Sequence, residues 1–198
     1  MSGEELEMKA SRWFLTIVVF GLLLSSCGGG KKTFTTDDLS ALVLQPSEAP
    51  SGTVYVGLAS GPADLDVFSE GVAEAKERFA QLRFLGGYAA VFSSFDESIT
   101  IGSGALVFED ADGAAEAMDV QRSVVVPNAT TGSKPLSVSD LGDEAFAFTF
   151  DSGPLGKPGA IYFFRVGNAM FLVPGSGAEI KNEDLLAIAR KVADRAEG

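Results

Sequence analysis

The chain has one thiol, at Cys27, and no histidine. That bounds its chemistry before any fold is considered. A single cysteine forms no intramolecular disulfide. Metal sites built from Cys and His, Ser-His-Asp triads and Cys-His pairs are all excluded. Carboxylates remain for acid–base work or ligation, with Ser, Lys and Tyr behind them. Three groupings come forward: the adjacent acids Asp143 and Glu144, the pair Ser133-Lys134, and the cluster Glu109, Asp110 and Asp112. None has the spacing of a working site. Neighbouring residues of a strand point to opposite faces, so Asp143 and Glu144 act apart if both are extended. Counted from Asp110, the fifth and twelfth positions of a calcium loop fall on Ala114 and Gln121, where an acid or Asn and a Glu are needed. Capping of a following helix by Asp112 explains the cluster better. No catalytic residue, cofactor site or metal site is assigned, and the chain reads as a non-enzyme.

The thiol stands in a specific context. An apolar run from Trp13 leads to Leu24-Ser25-Ser26-Cys27, and Gly28-Gly29-Gly30-Lys31-Lys32 follows. Residues 13–26 fall short of the roughly 18–20 needed to span a bilayer and have the length of a signal-peptide core. The stretch resembles a bacterial lipobox. Leu24 is its aliphatic position, and the small Ser25 and Ser26 let an extended backbone enter a narrow protease site. The resemblance implies that Cys27 receives a diacylglyceryl group, with palmitate among the acyl chains, and that signal peptidase II cuts between Ser26 and Cys27. Residues 1–26 are then the signal peptide, 27–36 a lipid-anchored flexible tether and 37–198 a single extracytoplasmic domain. Glu4, Glu5 and Glu7 make the first residues acidic, whereas such leaders begin basic. Met8-Lys9-Ala10-Ser11-Arg12 is basic, so translation is expected to begin at Met8.

The chain carries a formal charge of −12 at pH 7. So acidic a body repels phosphate backbones, which excludes nucleic acid as a partner. It is also pushed off an anionic membrane surface and leaves the lipid on Cys27 to hold it there. Only Lys31 and Lys32 in the tether favour headgroup contact, by about 1 kcal/mol each.

Hydropathy patterning supplies the elements. Thr36 or Asp37 can cap a short helix that ends before the turn-rich stretch Gln45–Gly52. Thr53–Leu58 alternates weakly, as a strand does. Leu65, Phe68, Val72, Ala75, Phe79 and Leu82 recur at helical steps, which predicts one amphipathic helix stopped by Gly86-Gly87. Strands are predicted at 88–94 and 99–108, followed by an alanine-rich helix to about Arg122 and a polar loop over 126–138. Residues 145–150, 160–166 and 169–173 read as three more strands, the last two joined by the tight turn Gly167-Asn168. Leu185, Ile188, Ala189, Val192 and Ala196 mark the apolar face of a final helix from Asn182. Hairpins dominate, so the fold class is α+β, a mainly antiparallel sheet of five to six strands packed with helices. A hairpin followed by a helix occurs twice, at 88–122 and 160–197, which suggests a degenerate repeat.

Several strings together carry a further resemblance. Leu42–Gly52, Gly104-Ala105-Leu106-Val107-Phe108, Leu141-Gly142-Asp143-Glu144-Ala145 and Phe164-Arg165-Val166-Gly167-Asn168 occur in the order seen in envelope proteins of actinobacterial type. The chain resembles the LpqN-like lipoproteins and the PknH-type extracellular sensor domains over residues 37–197. The resemblance implies a PsbP-like arrangement displayed outside the membrane for binding. It also implies disulfides in the PknH branch, which this chain cannot form. No functional residue carries over. The expected function is a non-catalytic binding, sensing or scaffolding module of the cell envelope, with envelope proteins as partners. The alternative is a carrier of a lipid or other apolar ligand, motivated by Phe146, Phe148, Phe150, Phe163, Phe164 and Phe171. A carboxylate-based enzyme is the least favoured reading.

Overall fold

The computed structural model describes residues 32–198, so Leu24, Ser25, Ser26 and Cys27 lie outside the described residues. The described residues fold into an α+β unit around one sheet. Its strands are β1 (Thr53–Tyr55), β2 (Gly61–Ala63), β3 (Phe84–Ser94), β4 (Thr100–Phe108), β5 (Lys134–Leu136), β6 (Glu144–Phe150), β7 (Gly159–Val166) and β8 (Ala169–Ser176). All neighbours pair antiparallel, in the order β1-β3-β4-β8-β7-β6-β5, with β2 sharing β3's outer edge with β1. The helices are α1 (Leu39–Leu42), α2 (Leu65–Phe68), α3 (Ala73–Gln81), α4 (Ala111–Val120), α5 (Val126–Ala129) and α6 (Asn182–Glu197).

Strand alternation sorts the long β7–β8 hairpin onto two cores. Tyr162, Phe164, Phe171 and Val173 face α6 and α1, where Leu185, Ile188, Ala189 and Val192 close over them. Phe163 and Met170 face the other way and meet Ala114, Ala117 and Met118 of α4 and Phe79 of α3. Helices thus pack on each face, and each fully buried Phe contributes about 1.5–3 kcal/mol by leaving water. Across the central pair, Phe164 stacks on Phe171 at 4.9 Å, while Phe163 stacks on Phe146 at 4.7 Å on the opposite face.

The sheet has eight strands where five to six are expected, because β2 and β5 are edge pieces too short to show a pattern. Both contain proline, Pro62 and Pro135, which is compatible with an edge position where no ladder N–H is needed. The helix expected over 65–82 is two helices. Glu70 (φ 50°) and Gly71 (φ 73°) turn the chain between them, and α2 is capped by Asp64. Gly86 and Gly87 do not stop that helix; both lie inside β3. A Cβ on Gly87 would run into the ring of Phe68, so glycine here makes room for the α2 anchor. After α4 the chain does not enter a polar loop. It continues through a π-helical turn, Gln121–Val125, into α5, and Val124, Val125 and Val126 are buried. Asp110, not Asp112, caps α4, accepting from the Gly113 N–H at 2.8 Å. Nor is there an internal repeat. The two-fold that maps β3–β4 onto β7–β8 would keep both following helices on one face, whereas α4 and α6 lie on opposite faces.

Candidate functional site

The residues with chemical promise in the sequence are held in separate structural pairs. Asp143 accepts from Arg165 Nη1 at 3.1 Å and from the Gly167 N–H at 2.8 Å. Glu144 pairs with Arg122 Nη2 at 3.0 Å, and the Arg122 guanidinium also lies over the Phe146 ring, 4.4 Å from its centre. The adjacent acids thus face different partners, Asp143 lying in the turn just before β6 and Glu144 at its first position. Glu109 pairs with Arg83 at 3.0 Å. Ser133 and Lys134 are exposed beside the edge strand β5. Among the described residues no group of three or more acids forms a metal cradle. No helix of the described residues is long and apolar enough to cross a membrane.

The site that the fold builds lies on the sheet face covered by α2–α5, at the end of the sheet holding the β3–β4 turn. There α4 and the π-turn stop short, and the sheet floor opens. The groove has a volume of about 320 Å³ and is walled by Val91, Phe150, Leu155 and Pro174, with Gly102 and Gly153 giving depth. A smaller hollow of about 60 Å³ adjoins it under Val125, Val126, Ala129 and Ile161. The two share Glu70, Phe150, Pro154 and Pro174. Two other hollows on the surface differ in kind. One, between α1 and β2, includes Asp37 and Asp64; the other, against α6, includes Glu48, Glu179, Asp184 and Lys191. Against those mixed linings, the groove over Phe150 is mainly apolar, with Thr100, Ser176, Gln121 and Thr130 as its neutral polar residues and Glu70 as its single charged one.

Its construction is local. Gly153 sits so close to Phe150 that a Cβ would overlap the ring, which lets the 151–158 loop fold down as one wall. The π-turn inserts a residue into the helical path, a device often found at functional sites. Here it carries the buried Gln121 to the end of α2, where Gln121 Nε2 donates to the Phe68 carbonyl at 3.0 Å. That bond fixes the turn on which Glu70 stands. Glu70 as a residue is exposed, yet it lines both hollows, and burial of its carboxyl raises its pKa above the usual carboxylate range. Leu155 in the groove wall is exposed, and Phe95 stands 90% exposed on the β3–β4 turn.

Of the phenylalanines singled out in the sequence, Phe150 and Phe163 reach this site. Phe164 and Phe171 lie in the opposite core, and Phe146 and Phe148 pack beside α4's face. Glu70 carries no sequence signal, since its position in a helix-like pattern reads as a solvated face.

No family model matches the chain, and no curated protein matches it. Among solved structures, the extracellular domain of PknH from Mycobacterium tuberculosis is similar at 16% identity and a TM-score of 0.51, covering 85% of this chain and 99% of that one. A protein from Mycobacterium smegmatis, the Rv0999 ortholog, aligns at 14% identity and a TM-score of 0.29, covering 87% of this chain and 94% of that one. At these identities the likeness to the PknH domain is one of fold: the described residues take an antiparallel α+β arrangement similar to that extracellular domain.

Proposed function

We propose that the chain is a non-catalytic, ligand-binding module of the cell envelope, held by lipid on Cys27 at the extracytoplasmic side. The observation that carries the binding reading is the apolar groove over Phe150, with a volume of about 320 Å³. That lies at the small end of ligand sites, which run to about 300–1,000 Å³. The absence of catalysis is supported by the pairing of Asp143, Glu144 and Glu109 with arginines, which leaves those acids in structural roles. The likeness in fold to an extracellular domain supports the compartment, as does the lipobox.

The direction of the groove fits a tethered module. The chain enters the domain at Lys32, whose carbonyl sits over Gly167 at the β7–β8 turn. The groove borders Thr100 and Ser176, at the other end of β4 and β8. The two ends of β8, Ala169 and Ser176, are seven residue steps apart, about 23 Å at strand rise. A ligand is therefore met on the side away from the point where the tether joins. The carrier reading is narrowed by the same volume: at roughly 30 Å³ per water-sized group the groove holds on the order of ten heavy atoms, not a two-chain lipid.

The test is paired. Intact mass and detergent partition of the native protein against Cys27→Ala should give a lipid-modified mass beginning at residue 27 that the variant lacks. An unmodified chain retaining residues 13–26 would overturn the anchor. Native mass spectrometry of protein taken from cells should show a small apolar adduct, displaced in Ala59→Trp, which narrows the groove mouth; no adduct and no uptake of added short-chain amphiphiles would overturn the binding reading.

A further inference from the structure

The groove poses one electrostatic question: why a carboxylate lines walls that are otherwise uncharged. Glu70 is the one charged residue bordering either hollow. None of the ion pairs among the described residues includes it. It is held in place rather than left to wander. Its φ of 50° is uncommon outside glycine, the following Gly71 also has positive φ, and Gln121 grips the carbonyl two residues earlier. Such a backbone outlier persists where surrounding structure determines it. A carboxylate against apolar walls loses hydration that a bound cation would replace.

Resting on the ligand-binding reading above, we infer that the groove takes a single-chain amphiphile with a protonated amine head, its chain along Val91, Phe150 and Ile161 and its ammonium on the Glu70 carboxylate. Charge complementarity sets the head, since one unpaired carboxylate is the only charge the walls offer. Volume sets the tail, since about 320 Å³ accommodates one short chain. The exposed Leu155 in the groove wall gives the entering tail an apolar landing. Burial raises the Glu70 pKa in the free protein, and an ammonium beside it would lower it again.

The experiment uses the full chain in lipid nanodiscs, with empty nanodiscs correcting for partition. Methyl NMR at Val91, Val125 and Ile161 follows titration with decylammonium, decanol and decanoate. Decylammonium should shift all three methyls and bind about tenfold more tightly than decanol, as expected for one charge-assisted hydrogen bond, with decanoate weaker than either. Glu70→Gln should abolish the preference for the amine over decanol, with the methyl pattern of both cores showing that the variant is folded. Equal binding of the three, or a preference that survives Glu70→Gln, would overturn the charge selection while leaving the groove a binding site. No shift with any of them would overturn the site itself.

Discussion

The side chain of Asn168 substitutes for a strand along the backbone of Phe34. Its Oδ1 accepts from the Phe34 N–H at 2.7 Å and its Nδ2 donates to the Phe34 carbonyl at 3.0 Å, while the same Nδ2 donates to the Phe108 carbonyl at 2.7 Å. Asn168 is buried, and its turn partner Gly167 lies directly under Lys32. The β7–β8 turn is therefore also the clasp that fixes the N-terminal stretch to the domain. Asn168→Asp should turn a donor into a carboxylate facing two carbonyl oxygens. The loss is expected to be about 2–4 kcal/mol in denaturant unfolding, with the Phe34 amide losing its hydrogen-exchange protection. Unchanged protection at Phe34 would show that the clasp contributes nothing.

The final helix and the β7–β8 hairpin were legible because each obeys one period and buries what the period marks. Leu185, Ile188, Ala189, Val192 and Ala196 are all buried. The 65–82 stretch misled because α2 and α3 feed the same core: Phe68, Ala75 and Phe79 keep helical spacing across a break that Gly71 permits. The loop expected over 126–138 begins instead as α5, because Pro127 sits in a first helical turn, where proline is tolerated. The groove was not legible at all. Glu70, Phe150 and Pro174 come from three distant segments, and no local pattern records that a π-turn and a loop leave the floor between them open.

Gly87 is the counterpart of Phe68 rather than a helix stop. Gly87→Ala places a methyl in the Phe68 ring and near the Ala63 carbonyl at 3.1 Å. Overpacking of this kind costs about 1–3 kcal/mol. The strain should fall on α2 and the Glu70 turn, so the variant should melt lower and show altered methyl shifts at Val91 and Ile161 before Phe164 and Phe171 are disturbed. A uniform response across both cores would contradict that assignment.

Phe164 and Phe171 are direct cross-strand partners and stack with rings 10° from parallel. Either change to alanine should cost about 3–5 kcal/mol. The double variant should lose less than the sum, with a coupling of about 0.5–1.5 kcal/mol. Phe95, on the exposed turn, is the control: Phe95→Ser should leave the melting temperature nearly unchanged.

Arg195, near the end of α6, reaches back to the N-terminal stretch. It donates to the Val43 carbonyl at 2.8 Å and pairs with Glu48. Burial works against charge on Glu48, but Arg195 and the Gln45 N–H outweigh it and hold the carboxyl below its usual range. A lowered folded-state pKa means that this contribution is complete above the ordinary carboxylate pKa and is lost as pH falls below it. Both side chains are about a quarter exposed, so Arg195→Met should cost about 1 kcal/mol at pH 7. The gap between variant and parent should shrink at pH 3, measured by thermal melts at both values. A gap that stays constant would place the effect on packing alone.

Asp96 closes the β3–β4 turn, accepting from Ser94 Oγ at 2.7 Å and from the Ser98 N–H at 3.0 Å. The Ser94 hydroxyl, and then the Ser98 N–H, hold its carboxyl at about 2, down from 3.8. The charged form is favoured in the folded turn, so the turn keeps this support above pH 3.8 and loses it as pH drops toward 2. Ser94→Ala removes the larger of the two causes. The Asp96 carboxyl, followed by carbon-detected NMR titration, should then move upward toward its ordinary value. The amide of Ser98 should begin to exchange at a higher pH than in the parent. An Asp96 titration that Ser94→Ala leaves unmoved would assign the low value to the backbone N–H instead.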